Sequence, residues 1–475
     1  MRLRRPVIPI MRMAALLMAT GLLAAGCNAG GSPAADPTTV PTVTPTVAPT
    51  AAPTDAAVGT YEACAGAATT PITLTAWDRE SGEAISAAID QANAEFEAAN
   101  PGVTITRVTK PVEELAAAVA TALADPSGPD VVQVEPGREG MGSLVAAGLL
   151  LPLTEPSASY RWDKRWGPRL LARSSYSSDG RLPGTGTLYG VSLTGEIVGL
   201  FFNDTLGHTR TAGTDVVVLE DLLVDDFDLL READMVPLVF GAADGGAVDV
   251  YASILGSMVE PAWLDDLVYA RDGATFEAPE TIAAAKTLRD VVRNGDVVEG
   301  YEELTGEEAA QWFASGTGQF LWAGSSLAAD LETAEPTIYF YAVPPASTET
   351  PATQVGDLGM SWAIRRDSSS AACAAAYLDF LTGDRTARLL ASKGVLPSHV
   401  VSGHDPAGEP FYGVAFAYFD AVVNDALGHR LQSAFPGAAE VIQANLSKLL
   451  AGDSTPEQFV KAVDAEYQAY LATLD

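Results

Sequence analysis

The stretch from residue 72 to residue 134 alternates between two apolar patterns, and this alternation limits the folds open to the chain. The runs 72–77, 103–106 and 130–134 have the alternating or continuously apolar character of strands. Between these runs, apolar residues recur at spacings of three and four, as on one face of a helix. Strand, helix, strand, helix, strand with short connections predicts an α/β fold with a parallel sheet and right-handed crossovers.

The carboxyl ends of the predicted strands are the first place to look for a ligand site, because ligands bind there in open parallel sheets. The first strand leads into Trp77, Asp78 and Arg79, and the third is followed by Glu135. Neither loop is rich in glycine, and no G-x-G-x-x-G motif follows the first strand. We therefore predict a ligand site without a nucleotide or any other cofactor.

The chain is strongly acidic, which restricts its partners. It has 61 Asp and Glu against 28 Lys and Arg, for a formal net charge of −33. Such a charge repels nucleic acid and anionic lipid, so we predict no nucleic-acid partner. The chain that follows residue 60 is long enough for two domains or one large body of two lobes.

The first 60 residues differ in composition from the rest. In residues 1–26, four arginines precede or interrupt an apolar run that ends in small residues. This pattern is typical of a secretory signal peptide. Residues 27–60 are rich in Pro, Thr, Ala and Gly, which predicts a disordered, extended linker. Cys27 resembles the lipidated cysteine of the lipobox in bacterial lipoproteins, which would anchor an extracytoplasmic protein to the cell membrane. The alternatives are a secreted protein with an incidental cysteine and an uncleaved anchor.

Two cysteines and four histidines remain to be interpreted. Cys64 and Cys373 could form one disulfide in an oxidising compartment or remain as two buried thiols, and the sequence leaves both open. The histidines show no spacing typical of a metal site, so we predict no metal.

Several segments, taken in order, resemble the extracellular solute-binding proteins of ABC importers, in the branch that binds maltose and other carbohydrates. They are Phe96-Glu97-Ala98-Ala99-Asn100-Pro101-Gly102-Val103, Gly128-Pro129-Asp130-Val131-Val132 with residues 144–153, Tyr189-Gly190-Val191 with residues 199–203, residues 312–324, residues 359–364, residues 375–381 and Gly394-Val395-Leu396-Pro397. Each segment is weak evidence alone, and their common order is what favours the family.

The resemblance implies the two-lobed (type II) periplasmic-binding-protein fold, with a hinge between the lobes. The expected first lobe comprises residues 61–197 and 322–364, and the second comprises 198–321 and 365–475. The chain is expected to cross between lobes near residues 196–202, 320–324 and 362–366. The resemblance also implies a monomer that captures a small solute, delivers it to ABC permease subunits and catalyses no reaction.

A sugar site requires flat apolar rings and planar hydrogen-bonding groups. Trp77, Trp322 and Trp362 lie near predicted strand ends and are our candidates for stacking on a sugar; each could equally be a core residue. The polar candidates are Asp78, Arg79, Glu135, Glu196 and Asn203. A further aromatic cluster at residues 160–166 is better explained as a helix that covers one lobe.

Three other functions remain open. A secreted carbohydrate-active enzyme could use paired carboxylates, but no motif assigns an acid and a nucleophile. A binding protein for another solute, such as a polyamine, an amino acid or a glycerol phosphate, would share the fold. A surface scaffold predicts repeats or tandem β-domains, and the βα alternation argues against both.

Overall fold

The structure of the protein is a computed structural model, which describes residues 60–206, 218–332, 334, 337–349, 352–401 and 409–474. The predicted signal segment 1–26, Cys27 and the linker up to residue 59 lie outside the described residues. Within the described part, no helix is long and apolar enough to cross a bilayer.

The strands are β1 (Ile72–Asp78), β2 (Val103–Thr109), β3 (Val131–Val134), β4 (Ser175–Tyr176), β5 (Thr187–Leu188), β6 (Gly190–Ser192), β7 (Gly195–Asn203), β8 (Leu238–Val239), β9 (Phe320–Gly324), β10 (Ile338–Tyr341), β11 (Gln354–Leu358), β12 (Ser361–Ile364) and β13 (Leu427–Gly428).

The α-helices are α1 (Glu83–Ala99), α2 (Val112–Ala124), α3 (Ser143–Ala146), α4 (Thr154–Ser159), α5 (Trp162–Arg165), α6 (Pro168–Ala172), α7 (Phe227–Glu232), α8 (Gly246–Gly256), α9 (Pro261–Val268), α10 (Pro279–Arg293), α11 (Gly306–Ala314), α12 (Ala328–Leu331), α13 (Ala371–Leu381), α14 (Asp384–Ala391), α15 (Glu409–Val423), α16 (Ala438–Ala451) and α17 (Pro456–Leu471). A short 3₁₀-helix spans Glu62–Ala68 and a π-helical turn spans Arg138–Gly142.

The first lobe is built on a sheet with the strand order β2-β1-β3-β12-β6. β1 pairs in parallel with both β2 and β3, and α1 and α2 form the crossovers, which confirms the predicted α/β class and parallel pairing. The sheet is covered on both faces. Leu74 and Ala76 point into a core formed with α1 and α13, whereas Val132 and Val134 pack under α2 and α3.

The second lobe is built on a sheet with the order β13-β11-β7-β9-β8, and β10 also pairs with β7. β7 is the organising strand, since it pairs antiparallel with β9, β10 and β11 along its nine residues. Helices α8, α10, α16 and α17 pack against one another in this lobe. Its strands come from widely separated parts of the sequence, so non-local pairing holds it together.

Three chain segments connect the lobes and are hydrogen-bonded side by side. The Gly359 amide donates to the Thr194 carbonyl at 2.9 Å, and the Gly195 amide donates to the Leu396 carbonyl at 3.0 Å. The Ser398 amide donates to the Leu193 carbonyl at 3.1 Å. A Cβ at Gly359 would lie 2.2 Å from the Thr194 hydroxyl oxygen, so glycine is required for this close approach.

The predicted lobe boundaries are wrong for two segments. Residues 322–358 were expected in the first lobe, but β9 and β11 pair within the second sheet. Residues 365–391 were expected in the second lobe, but α13 and α14 pack on α1. The reason is that the chain crosses at residues 193–194, 359–360 and 396–398, rather than at the expected positions, and β9 does not cross at all.

Cys64 and Cys373 are joined by a disulfide with an S–S distance of 1.97 Å. Both residues are only 2% exposed. The bond attaches the 3₁₀-helix at Glu62–Ala68 to α13, and so connects the start of the first lobe to the segment that returns to it.

The aromatic cluster at residues 160–166 packs on the first lobe. Trp162 is fully buried and its indole Nε1 donates to Asp379 at 2.9 Å. Trp166 is also buried and its Nε1 donates to the Ser398 hydroxyl at 3.0 Å. This arrangement agrees with the interpretation that the cluster covers one lobe.

Candidate functional site

A cleft between the two lobes contains a cavity of about 260 Å³. The first lobe provides the loop 135–140 after β3, together with side chains from α6 and the β4–β5 hairpin. The second lobe provides residues from the end of α9, the loop after β13 and the end of α17. The lining residues used below are Glu135, Arg138, Glu139, Arg173, Tyr269, Asp357, His429, Gln432, Phe435 and Tyr470.

A second cavity of about 340 Å³ lies in the second lobe beside the first. It is bounded by the amino-terminal ends of α8 and α11 and by the chain from β9 to α12, and Trp322, Arg430 and Gln432 line it. Gln432 lines both cavities, so the two adjoin at this residue. Together they form one extended cleft.

The loop after β3 is held rigidly, which fixes the first-lobe wall. Gly137 has a φ of 98°, a conformation that glycine adopts without strain. The Tyr176 hydroxyl accepts from the Gly137 amide at 2.7 Å and lies 3.2 Å from the Gly137 carbonyl. A Cβ at Gly140 would lie 2.2 Å from the Glu135 carbonyl oxygen, so the π-helical turn packs tightly on the strand end. Arg138 is thereby directed toward the second lobe, where its Nη2 donates to the Tyr269 carbonyl at 2.8 Å.

The second-lobe wall is fixed by a charged network around Arg430. Its guanidinium donates to Glu196 at 2.7 Å and also to Asp249. Although burial opposes its charge, these two carboxylates raise the pKa of Arg430. Gln432 donates to Asp249 at 2.8 Å, and its carbonyl oxygen is buried without a partner in the described part of the chain. The network orients Gln432 at the junction of the two cavities.

Arg173 joins the lobes at the base of the cleft. Its Nη1 lies 2.7 Å from Asp357 and 3.2 Å from the Gly356 carbonyl, and its Nη2 lies 3.2 Å from the Leu427 carbonyl. The side chain is 3% exposed, so this contact is shielded from water and salt.

His429 is buried in the cleft wall, where its Nε2 lies 3.0 Å from the Tyr269 hydroxyl and 3.5 Å from Asp265. Burial lowers the pKa of His429 well below 6.5, and the positive charges of Arg173 and Arg169 act in the same direction. The Asp265 carboxylate is shared with Arg169, which weakens its ability to hold a proton on the imidazole. The folded protein therefore favours the neutral form of His429.

A neutral buried His429 makes stability depend on pH. Below pH 6.5 the unfolded chain binds a proton that the folded chain excludes, so the free energy of unfolding falls by up to about 1.4 kcal/mol per pH unit. Between pH 7.5 and 5.5, we expect the free energy of unfolding to fall by about 1 kcal/mol less in His429→Gln than in the wild type. Urea unfolding at both pH values measures this difference. Equal losses in the two proteins would mean that His429 is protonated when folded.

The structure brings three of the predicted site residues to the cleft. Glu135 is exposed on the wall of the first cavity, where the surrounding protein raises its pKa by desolvation. Trp322 lines the second cavity, although it is only 2% exposed. Glu196 lines neither cavity, but it accepts a hydrogen bond from Arg430, which lines the second one.

Two further predicted residues lie at the expected strand end but line neither cavity. Trp77 is half-buried on the α2 side of the first lobe, and the Lys110 ammonium lies 4.8 Å from its ring centroid. Arg79 is half-buried, and its backbone amide donates to Gln133 at 2.9 Å.

Three predicted site residues are fully buried and line neither cavity. Asp78 is fully buried and is bound by the Arg107 guanidinium at 2.7 and 2.9 Å. Trp362 is fully buried in the core, because its side chain points toward the helix layer and away from the cleft. Asn203 is fully buried at the far end of β7, and seven residues of extended strand place it roughly 23 Å from Glu196.

The residues that the sequence analysis missed are mostly in the second lobe. Tyr269, Gln432, Phe435 and Tyr470 follow no motif that could be recognised, and three of them lie beyond residue 397, where the family resemblance ends. Arg138 could have been predicted from the sequence, since it comes three residues after Glu135 in the loop at the end of a strand.

The cleft can bind a polar solute by contacts from both lobes. The rings of Tyr269, Phe435 and Tyr470 offer apolar faces and edges, and Glu135 and Gln432 offer hydrogen-bonding groups. No group of three or more His, Cys, Asp or Glu residues in the described part of the chain is arranged to hold a metal ion.

Comparison with known proteins identifies the family. The family model described as bacterial extracellular solute-binding protein matches residues 76–388. The chain belongs to this family. The match confirms the resemblance that the ordered segments indicated. A search of curated protein sequences finds no match.

Solved structures of receptors share the fold at low sequence identity. The GacH receptor of Streptomyces glaucescens, which binds acarbose, is 19% identical, with 85% of this chain and 99% of that chain covered and a TM-score of 0.61. RafE in complex with raffinose is 16% identical, with 84% of this chain and 100% of that chain covered and a TM-score of 0.61. The solute receptor AcbH, which prefers β-D-galactopyranose, is 14% identical, with 85% of this chain and 99% of that chain covered and a TM-score of 0.67. These similarities establish the two-lobed fold.

Proposed function

We propose that this solute-binding protein is the lipid-anchored receptor of a carbohydrate ABC importer, and that it binds its sugar in the cleft between the lobes. The observation that carries the proposal is the cavity of about 260 Å³ lined by aromatic and polar side chains from both lobes. A binding site shared by two lobes couples ligand capture to their relative motion.

The chemistry of the cleft suits a sugar. Aromatic rings pack on the C–H faces of a pyranose, and carboxylate, amide and guanidinium groups pair with its hydroxyls. Tyr269 and Tyr470 supply rings, and Glu135, Arg138 and Gln432 supply the polar groups. Structures of similar fold bind raffinose, acarbose and galactose, which supports a sugar as the ligand class.

The hinge and the anchor support delivery to a transporter. Three bonded crossing segments allow the lobes to close on a ligand as rigid bodies. Lipidation of Cys27 and the Pro/Thr-rich linker would hold the receptor near its permease at high effective concentration. We propose a monomer that acts on the extracytoplasmic side of the membrane and catalyses no reaction.

A thermal-shift screen of the purified protein tests the ligand class. The panel comprises neutral sugars, acidic sugars, polyols, glycerol phosphates, amino acids, polyamines and peptides. We expect a saturable rise in Tm with at least one sugar, because a ligand that binds only the folded state stabilises it. A rise with a polyamine or an amino acid alone would contradict the sugar assignment, and hydrolysis of model glycosides would favour an enzyme.

Tyr470 provides a test of the site itself. It is half-buried at the cavity wall, with its ring centroid 6.4 Å from that of Phe435. We expect Tyr470→Ala to weaken sugar binding about tenfold, through loss of an aromatic face, and to change the Tm of the free protein little. Calorimetric titration measures the affinity.

The matched control is Tyr412→Ala, since Tyr412 is 49% exposed on α15 and lines neither cavity. Equal affinity of the Tyr470 and Tyr412 variants would remove Tyr470 from the site.

A further inference from the structure

Arg138 is a charged side chain in the cleft whose charge has no partner. Its Nη2 donates to the Tyr269 carbonyl at 2.8 Å, and its Nε is buried without an acceptor in the described part of the chain. No carboxylate among the described residues forms an ion pair with it. Burial lowers the pKa of Arg138, and the nearby charges of Arg271 and Arg181 lower it further. The folded protein therefore holds an uncompensated positive charge against the cavity, which is costly without a ligand.

Arg138 differs in this respect from most of the buried and half-buried arginines in the described part of the chain. Arg173 lies on the same cavity and is paired with Asp357 at 2.7 Å. Carboxylate partners are likewise present for Arg107, Arg165, Arg169, Arg231, Arg289, Arg365, Arg385 and Arg430. In a chain with 61 acidic residues, partners for an arginine are plentiful. The isolation of Arg138 at a cavity wall therefore points to a partner that arrives with the ligand.

The acidic residues of the same cavity are not paired with Arg138. Asp357 is paired with Arg173, and desolvation raises the pKa of Glu135 although the charge of Arg79 opposes this. Glu139 is exposed to solvent, where its charge is screened. Two arginines line this cavity in a chain with a net charge of −33, and Arg138 is the one without a carboxylate partner among the described residues.

The opposite end of the cleft is more acidic. Asp244, Asp249 and Glu307 line the second cavity, and Arg430 is its one basic lining residue among those described. Carboxylates accept hydrogen bonds from sugar hydroxyls but repel an anionic group. A ligand with one acidic group would therefore be oriented with that group toward Arg138.

We propose that the solute is an anionic sugar, whose acidic group is bound by Arg138 in the first cavity. This inference rests on the proposed function, and it adds the charge of the ligand. A carboxylate would pair with the Nη edge of the guanidinium, since charge-assisted contacts of this kind are strong. A uronic acid and a sugar phosphate share the required chemistry.

Calorimetric titrations with matched probes test the inference. The probes are D-galacturonate, its methyl ester, D-galactose and D-galactose 6-phosphate, with the corresponding four glucose derivatives. We expect at least one acidic sugar to bind about tenfold or more tightly than its neutral counterpart, because hydrogen bonds to charged groups are stronger than those between neutral groups. Tighter binding of the uronate identifies a carboxylate as the natural group, and tighter binding of the 6-phosphate identifies a phosphoryl group.

The variant Arg138→Gln should bring the acidic and neutral sugars to within about threefold of each other, and Arg138→Lys should give an intermediate preference. The matched control is Arg293→Gln, which removes the same charge from an exposed residue of α10 that lines neither cavity. It should leave the preference unchanged.

Equal binding of acidic and neutral sugars by the wild type, or equal weakening of both by Arg138→Gln, would overturn the inference and leave the proposed function standing. Binding of no sugar at all would contradict the proposed function, and the inference with it.

Discussion

Replacing Cys64 and Cys373 together with alanine is expected to lower the free energy of unfolding by about 4 kcal/mol. The bond joins residues separated by 309 positions, and a cross-link that closes a long loop removes much conformational freedom from the unfolded chain. Both side chains are 2% exposed, and alanine leaves only a small void at each position. Urea unfolding of the oxidised wild type and of the double variant measures the difference.

The third cysteine of the chain provides the matched control for this experiment. Cys27→Ala should leave the unfolding midpoint unchanged, because Cys27 takes no part in the bond. A double variant as stable as the wild type would contradict the account, because it would mean that the two cysteines are not bonded in the native protein.

Asp78→Asn is expected to lower the free energy of unfolding by about 3 kcal/mol. The Asp78 side chain is fully buried, and the Arg107 side chain that it binds is 9% exposed. Removing the charge leaves the guanidinium buried with a weaker acceptor, a change that costs far more than loss of an exposed ion pair. Asp90→Asn is the matched control, since Asp90 binds the same guanidinium but is 64% exposed. It should cost less than about 1 kcal/mol.

The same variant separates a structural role for Asp78 from a role in binding. Because Asp78 lines neither cavity, folded Asp78→Asn should bind sugar with an affinity within about threefold of the wild type. Lost affinity with unchanged stability would restore Asp78 to the site and contradict the structure.

The first lobe could be predicted from the sequence because its first strands are local. Strands and helices between residues 72 and 134 alternate along the chain, and each strand pairs with one that is near in sequence. The second sheet could not be predicted in the same way. β7 pairs with strands that follow it by more than a hundred residues, and no local pattern specifies such partners.

Three of the predicted site residues lie away from both cavities for identifiable physical reasons. Asp78 shares the period-two face of Leu74 and Ala76, so its side chain points into the first lobe. Trp362 lies on the core face of β12 for the same reason. Asn203 directly follows the expected crossing at residues 196–202, but β7 begins at the hinge, so its first residues and not its last face the cleft.

The most direct test of the account is a crystal structure of the protein with the sugar that gives the largest rise in Tm. The account predicts that the sugar lies between residues 135–140 of the first lobe and residues 429–436 of the second. The sugar should contact Gln432, and its acidic group should lie against Arg138. A sugar bound to one lobe alone, or on a surface away from the cleft, would contradict the claim that this receptor captures its solute between the lobes.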